Sequence, residues 1–356
     1  MKKFNFYSGP AILPAEVLQQ AAQAVQELDN LGLSLIEISH RSKEFTAIVE
    51  ESIDLVRELT GLKAPYQVLW LQGGATMQFL QVPYNLLNRT ATAAFLETGS
   101  WSRKAIKEAR LFGHVQVVAS SADRNFTYVP KDYAVPDDAA YFHITTNETI
   151  HGVQVHEIPE ASVPLIADMS SDIFSRQLDW SRFALIYAGA QKNIGPSGAT
   201  LVIVNEELLG HVDHPIPTMM DYRNHIKDNS LHNTPSTFAI YVCLLTLRWI
   251  RQQGGLAEME KRNHRKAAML YAALEASELY RPVAEPDDRS LMNVCWVLTR
   301  PDREEALVRF AAENGCIGIK GHRSVGGFRA SLYNAMPEEG VRHLIDVLRH
   351  FEQHHA

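Results

Sequence analysis

Between residues 66 and 205 the chain alternates short strand-like runs with segments of helical pattern, and this most constrains its fold. The runs fall at 67–72, 92–98, 114–119, 141–145, 164–167, 184–187 and 200–204, with helices expected at 76–87 and 102–112. The runs at 164–167 and 184–187 are wholly apolar and bounded by small residues, and such a run reads as a strand buried on both faces. Strands of that kind interleaved with helices make a mostly parallel α/β sheet. In such a sheet, ligands are bound just past the carboxyl ends of the strands.

The flanking segments fill out the plan. Helices are expected at 14–28, with Pro14 near the first turn, and at 44–60, ending at Gly61. A long apolar helix at 237–252 leads to the break Gly254-Gly255, after which the pattern changes. A basic helix at 258–275 precedes strands at 292–298, 317–320 and 327–333 and helices at 303–314 and 338–350. The expected organisation is a large α/β unit, residues 15–255, and a smaller α+β unit, residues 256–356.

Composition excludes several functions. The formal charge of −7 lacks the basic footprint of a nucleic-acid or anionic-membrane surface, so any anionic ligand must be held by local cations. Cys243, Cys295 and Cys316 are scattered and form no CxxC, which fits a reducing cytoplasm. The start of the chain has no apolar signal-peptide core, and no run approaches eighteen apolar residues. A soluble cytoplasmic protein is expected. His211, His214, His225 and His232 have no Cys or acidic partner at ligand spacing, so no metal is expected. Cys243, on the apolar helix, reads as core.

Chemistry-bearing residues gather at the strand ends. The run 163–167 leads into Asp168, and the run 183–187 leads through Ala188-Gly189-Ala190-Gln191 to Lys192. An acid and an amine delivered to one sheet edge suit pyridoxal phosphate: the lysine forms a Schiff base, and the carboxylate keeps the pyridine nitrogen protonated. Gln72-Gly73-Gly74-Ala75-Thr76 reads equally as a phosphate-binding helix start or a plain glycine turn. Trp101 could stack on a flat ring or lie half-buried under a loop. Residues 141–149 form a third such edge, which places the Thr149 hydroxyl near the same crevice. His40-Arg41 and His322-Arg323, with Arg329 beyond Gly326-Gly327, could grip two anionic groups or be ordinary surface charges.

Read in order, these segments resemble one family from end to end. They include Asn5-Phe6-Tyr7-Ser8-Gly9-Pro10-Ala11, Glu37-Ile38-Ser39-His40-Arg41-Ser42 and the runs 73–79, 147–152, 167–171 and 189–196. His232-Asn233-Thr234-Pro235, Gly321-His322-Arg323 and the run 327–334 complete the set. The chain resembles the class V aminotransferases of the fold-type I pyridoxal-phosphate enzymes, and among them the phosphoserine aminotransferase family. The resemblance implies pyridoxal 5'-phosphate as cofactor, with L-glutamate and 3-phosphohydroxypyruvate as substrates in serine biosynthesis. It leaves open a second product, 4-phosphohydroxy-L-threonine, in pyridoxine biosynthesis. It also implies that the N-terminal segment 1–14 rejoins the small unit.

Residue by residue, the resemblance makes Lys192 the Schiff-base lysine and Asp168 the partner of the ring nitrogen. Trp101 would stack on the ring, and Thr149 would face its phenolate side. Ala75, Thr76 and Gln191 would hold the cofactor phosphate, joined by Asn233 and Thr234 from the neighbouring subunit of a homodimer. Arg329 would bind the substrate α-carboxylate. His40, Arg41, His322 and Arg323 would bind the substrate phosphate or the distal carboxylate. Some family members carry Arg where this chain has Thr76, which shifts more of that work to Arg41, His322 and Arg323. A cysteine desulfurase on the same fold would need a mobile thiol, for which Cys316 is the one candidate; a non-catalytic binding protein would not need Lys192.

Overall fold

Seven strands make the principal sheet of the computed structural model, which describes residues 3–355. They are β1 (Tyr66–Leu71), β2 (Thr92–Glu97), β3 (His114–Ser120), β4 (Phe142–Thr145), β5 (Leu165–Asp168), β6 (Leu185–Gly189) and β7 (Thr200–Asn205). Their order across the sheet is β1-β7-β6-β5-β4-β2-β3. Strand β7 runs antiparallel to both its neighbours, and the other pairings are parallel. The seven expected strands are all present. The reversal of β7 is not visible in a hydrophobic pattern, because periodicity reports burial and not direction.

Both faces of the sheet are covered, which is why its central strands β4, β5 and β6 are buried at every position. In β1, Val68 and Trp70 face one apolar cluster while Leu69 and Leu71 face another. The first cluster is closed by helices Ala15–Gln26, Lys43–Thr60 and Thr237–Gln252, the second by Gly74–Leu86 and Ser100–Ala109. Each fully buried Leu, Ile or Val contributes roughly 2 kcal/mol. Trp70 adds a directed contact, its indole N–H donating to the Ser52 hydroxyl at 2.7 Å. Helix Lys43–Thr60 starts where the Ser42 hydroxyl accepts from the Phe45 N–H and stops at Gly61, whose φ is 70°.

A second apolar cluster system lies beyond residue 266. Strands Tyr280–Pro282, Asn293–Leu298 and Phe328–Ser331 form an antiparallel sheet packed on helices Glu304–Glu313 and Glu338–His355. Helix Gly255–Glu275 serves both bodies: Leu256 and Met259 pack with the large cluster, Ala267, Leu270 and Leu274 with the small one. Phe4 and Phe6 also lie in the small cluster, and Phe4–Asn5 pairs in parallel with Cys316–Ile317.

The expected strand at 317–320 is largely absent. Gly318 takes φ 86° with the Tyr7 ring against it, which ends the strand at Ile317 and leaves Lys320 a single bridge to Phe328. Tyr280–Pro282 was not anticipated, since three residues ending in proline carry no periodic signal. No helix among the described residues is long and apolar enough to cross a membrane.

Candidate active site

The carboxyl ends of the central strands open onto a cleft of about 270 Å³. Asp168 closes β5, held by the Ser170 N–H, which donates to its Oδ1 at 2.9 Å. The Ser170 hydroxyl in turn accepts from the Gly189 N–H at the end of β6. The chain then turns through Ala190, whose N–H donates to Ala199 O, and delivers Lys192 to the cleft. Lys192 Nζ donates to Thr149 Oγ1 at 2.7 Å and stands 5.4 Å from the centre of the Trp101 ring.

Burial sets the charge state of both groups. It lowers the Lys192 ammonium to about 8, opposed by the Asp168 carboxylate and reinforced by Arg329. It raises Asp168 above the usual carboxylate range, against the bonds from Ser170 and the charge of Lys192. A buried carboxylate is stabilised by a cationic or donor partner, and a protonated pyridine nitrogen is one.

The cleft is also shaped for phosphate. Gly73 and Gly74, at φ 90° and 66°, turn the chain out of β1 into helix Gly74–Leu86. That helix start has no side-chain cap among the described residues, which leaves first-turn N–H groups free at the positive end of the helix, and Ala75 and Thr76 line the cleft. Gln191 lines the same cleft. These residues fit pyridoxal phosphate by donor set and by position.

Arg329 reaches the cleft from the small body. Its Nη1 donates to Thr149 O at 3.2 Å and its Nη2 to Ser8 Oγ at 2.8 Å, while Nε, also buried, has no partner among the described residues. Tyr333 OH donates to Ser8 O at 2.8 Å. Behind them Asn147 joins the two bodies, donating to Ser171 Oγ at 2.7 Å and Asn293 Oδ1 at 2.8 Å.

Of the residues singled out from sequence, Ala75, Thr76, Trp101, Thr149, Asp168, Gln191, Lys192, His322 and Arg329 line this one cleft. His40, Arg41, Asn233, Thr234 and Arg323 are not among its lining residues. Arg41, Thr234 and Arg323 are exposed, and Thr234 O accepts from Gln72 Nε2 at 3.2 Å, just before the glycine pair. Sequence reasoning missed Ser8, Asn147, Ser171 and Tyr333 as parts of the site. Ser8 and Arg329 are 321 residues apart, and no local pattern joins them. Glu148 was missed too, although a carboxylate in an otherwise uncharged run was a usable signal.

The model of the class V aminotransferases matches residues 3–344. A phosphoserine aminotransferase of Azobacteroides pseudotrichonymphae is 53% identical over all of this chain and 99% of its own length. The solved phosphoserine aminotransferase of Bacillus circulans subsp. alkalophilus superposes with a TM-score of 0.96 at 43% identity, covering 100% of this chain and 99% of that one. The pyridoxal-phosphate-bound phosphoserine aminotransferase of Trichomonas vaginalis gives 0.94 at 36% identity, covering 98% and 100%.

Proposed function

Since the chain belongs to the class V aminotransferases and is a pyridoxal-phosphate-dependent aminotransferase of fold type I, we propose that it interconverts 3-phosphohydroxypyruvate and L-glutamate with O-phospho-L-serine and 2-oxoglutarate. The observation that carries the reading is the convergence of Asp168, Lys192, Thr149 and Trp101 with an uncapped helix start and the Arg329 guanidinium in one cleft. The names of the full-length relatives support the choice of substrate.

When bound, pyridoxal phosphate supplies an aldehyde that captures amino groups and a ring that takes up the electrons of a breaking Cα–H bond. Lys192 would hold the aldehyde covalently and, once displaced, move a proton between the substrate Cα and the cofactor carbon. Asp168 would keep the ring nitrogen protonated, Trp101 would cover one ring face, and Thr149 would stand at the phenolate side. Ala75, Thr76 and Gln191 would hold the phosphate. Arg329 would take the α-carboxylate, and His322 with Arg323 the distal anionic group. His40 and Arg41 would serve the same distal group, and Asn233 and Thr234 would complete the cofactor phosphate site of a neighbouring subunit, which makes the working unit a homodimer.

The reading treats residues 15–255 and 256–356, with 1–14, as two units; the separate small cluster containing Phe4 and Phe6 supports it. It places the enzyme in the cytoplasm, in serine biosynthesis, with the four-carbon reaction of pyridoxine biosynthesis as an extension. Sulfur removal by a thiol is disfavoured: Cys243, Cys295 and Cys316 are all buried, and burial pushes Cys316 up to about 12.

The test is the visible spectrum of the holoenzyme before and after O-phosphoserine, with serine and alanine as controls. Bleaching by O-phosphoserine alone supports the reading. Bleaching by serine or alanine with no response to O-phosphoserine would leave the cofactor chemistry and overturn the substrate.

A further inference from the structure

The segment after β4 reaches three parts of the cleft at once. Thr149 Oγ1 accepts from Lys192, and Thr149 O accepts from Arg329. Glu148, one residue earlier, points its carboxylate instead at the start of helix Ser100–Ala109. Its Oε2 accepts the Trp101 N–H at 3.1 Å, and its Oε1 accepts the Ser102 N–H at 2.9 Å. Oε1 is also 2.9 Å from the Ser102 hydroxyl, which accepts from the N–H groups of Thr98 and Gly99 at 3.0 Å.

Trp101 and Ser102 lie in the first turn, where N–H groups have no partner inside the helix and are normally satisfied by the N-cap side chain. The N-cap is Gly99, which has no side chain to offer. A Cβ there would fall 2.4 Å from Glu148 Cδ, so the glycine makes room for a carboxylate brought from a distant strand. Glu148 is wholly buried, and burial lifts it to about 7 against the three bonds that favour its charge. The indole of Trp101 lines the cleft, with Lys104 Nζ 4.0 Å from its ring centre and Phe79 at 6.4 Å.

We propose that Glu148 is a positioning residue: it pins the backbone at Trp101, and with it the plane of the indole that lies against the cofactor ring. The proposal rests on the reading of Trp101 as the stacking residue. Glu148 touches neither substrate nor cofactor in this scheme and acts only through the helix start. A glutamine would keep the length of the side chain but turn an amide donor toward N–H donors, so one bond is lost and the first turn shifts. Small displacements of positioning groups have large effects on rate.

The test compares wild type, Glu148→Gln, Trp101→Phe and the double variant, each loaded with pyridoxal phosphate. Absorbance of the cofactor band gives occupancy, and its visible circular dichroism gives the asymmetry of the ring's surroundings. Glu148→Gln should retain the band while losing at least half its dichroism per bound cofactor, with kcat about tenfold lower. In the Trp101→Phe background the same change should remove little further dichroism. Unchanged dichroism in Glu148→Gln overturns the proposal, as does an equal loss with and without the indole. If Glu148→Gln does not fold, Ser102→Ala keeps both backbone bonds and should show a smaller loss that also depends on Trp101; no loss overturns the proposal. Wild-type protein that takes up no cofactor would sink this proposal and the functional reading together, whereas a normal band with unaltered dichroism sinks Glu148 alone.

Discussion

Lys192 sits between opposing influences. Burial and the Arg329 guanidinium favour its neutral form, while the Asp168 carboxylate favours the ammonium, and the balance leaves it near 8. The neutral amine is the nucleophile and the base; the ammonium is neither. In cofactor-free protein the rate of covalent addition to pyridoxal phosphate should therefore climb about tenfold per pH unit below 8 and level off above it. Stopped-flow absorbance across pH 6–10 checks this, and a rate still climbing in the ordinary lysine range would show that burial does not govern the amine. The bond to Thr149 Oγ1 complements this tuning by fixing the direction in which Nζ points.

Two glycines in left-handed backbone show how elements are tied to the site. Gly61, at φ 70°, ends helix Lys43–Thr60 with open space where a Cβ would stand. Gly73, at φ 90°, opens helix Gly74–Leu86, and a Cβ there would fall 2.6 Å from Met77 Cβ. Gly61→Ala should cost only the conformational term, about 1 kcal/mol, and leave cofactor affinity unchanged. Gly73→Ala carries that cost and a backbone shift at the helix start, so it should lose about 2 kcal/mol and bind pyridoxal phosphate at least ~10-fold more weakly. Urea unfolding and a cofactor titration of the two variants distinguish them. Equal cofactor affinity in both would remove this helix start from the phosphate site.

At the scale of the molecule, the cleft of one chain gathers Lys192 and Arg329 but not Arg41, Asn233 or Thr234. If these last reach a neighbour's cleft, Lys192→Ala and Arg41→Ala damage different subunits' contributions to one site. Each variant alone should be impaired. Mixed after partial unfolding and refolded together, they form heterodimers in which one of the two sites holds an intact Lys192 and an intact Arg41. Recovered turnover in the mixture, absent from either variant alone, is the expected result. No recovery, with mixed dimers shown to form, would place both residues in the same chain's site.

Much of this protein was legible without coordinates. Fully apolar runs such as 163–167 and 183–187, short and interleaved with helical segments, read as strands covered on both faces, and that pattern sends Asp168 and Lys192 to a common sheet edge. The sheet itself and the meeting of acid, amine, Trp101, Thr149 and the glycine pair follow from local pattern and short connections. Tertiary structure decided what local pattern cannot encode. The reversal of β7 depends on which neighbours it pairs with, since strand burial is the same in either direction. Ser8 meets Arg329 across the whole chain, and Glu148 caps a helix that begins 48 residues before it in the sequence. Such contacts are chosen by the packing of distant elements, because a buried charge or donor takes whatever partner the folded chain brings within reach.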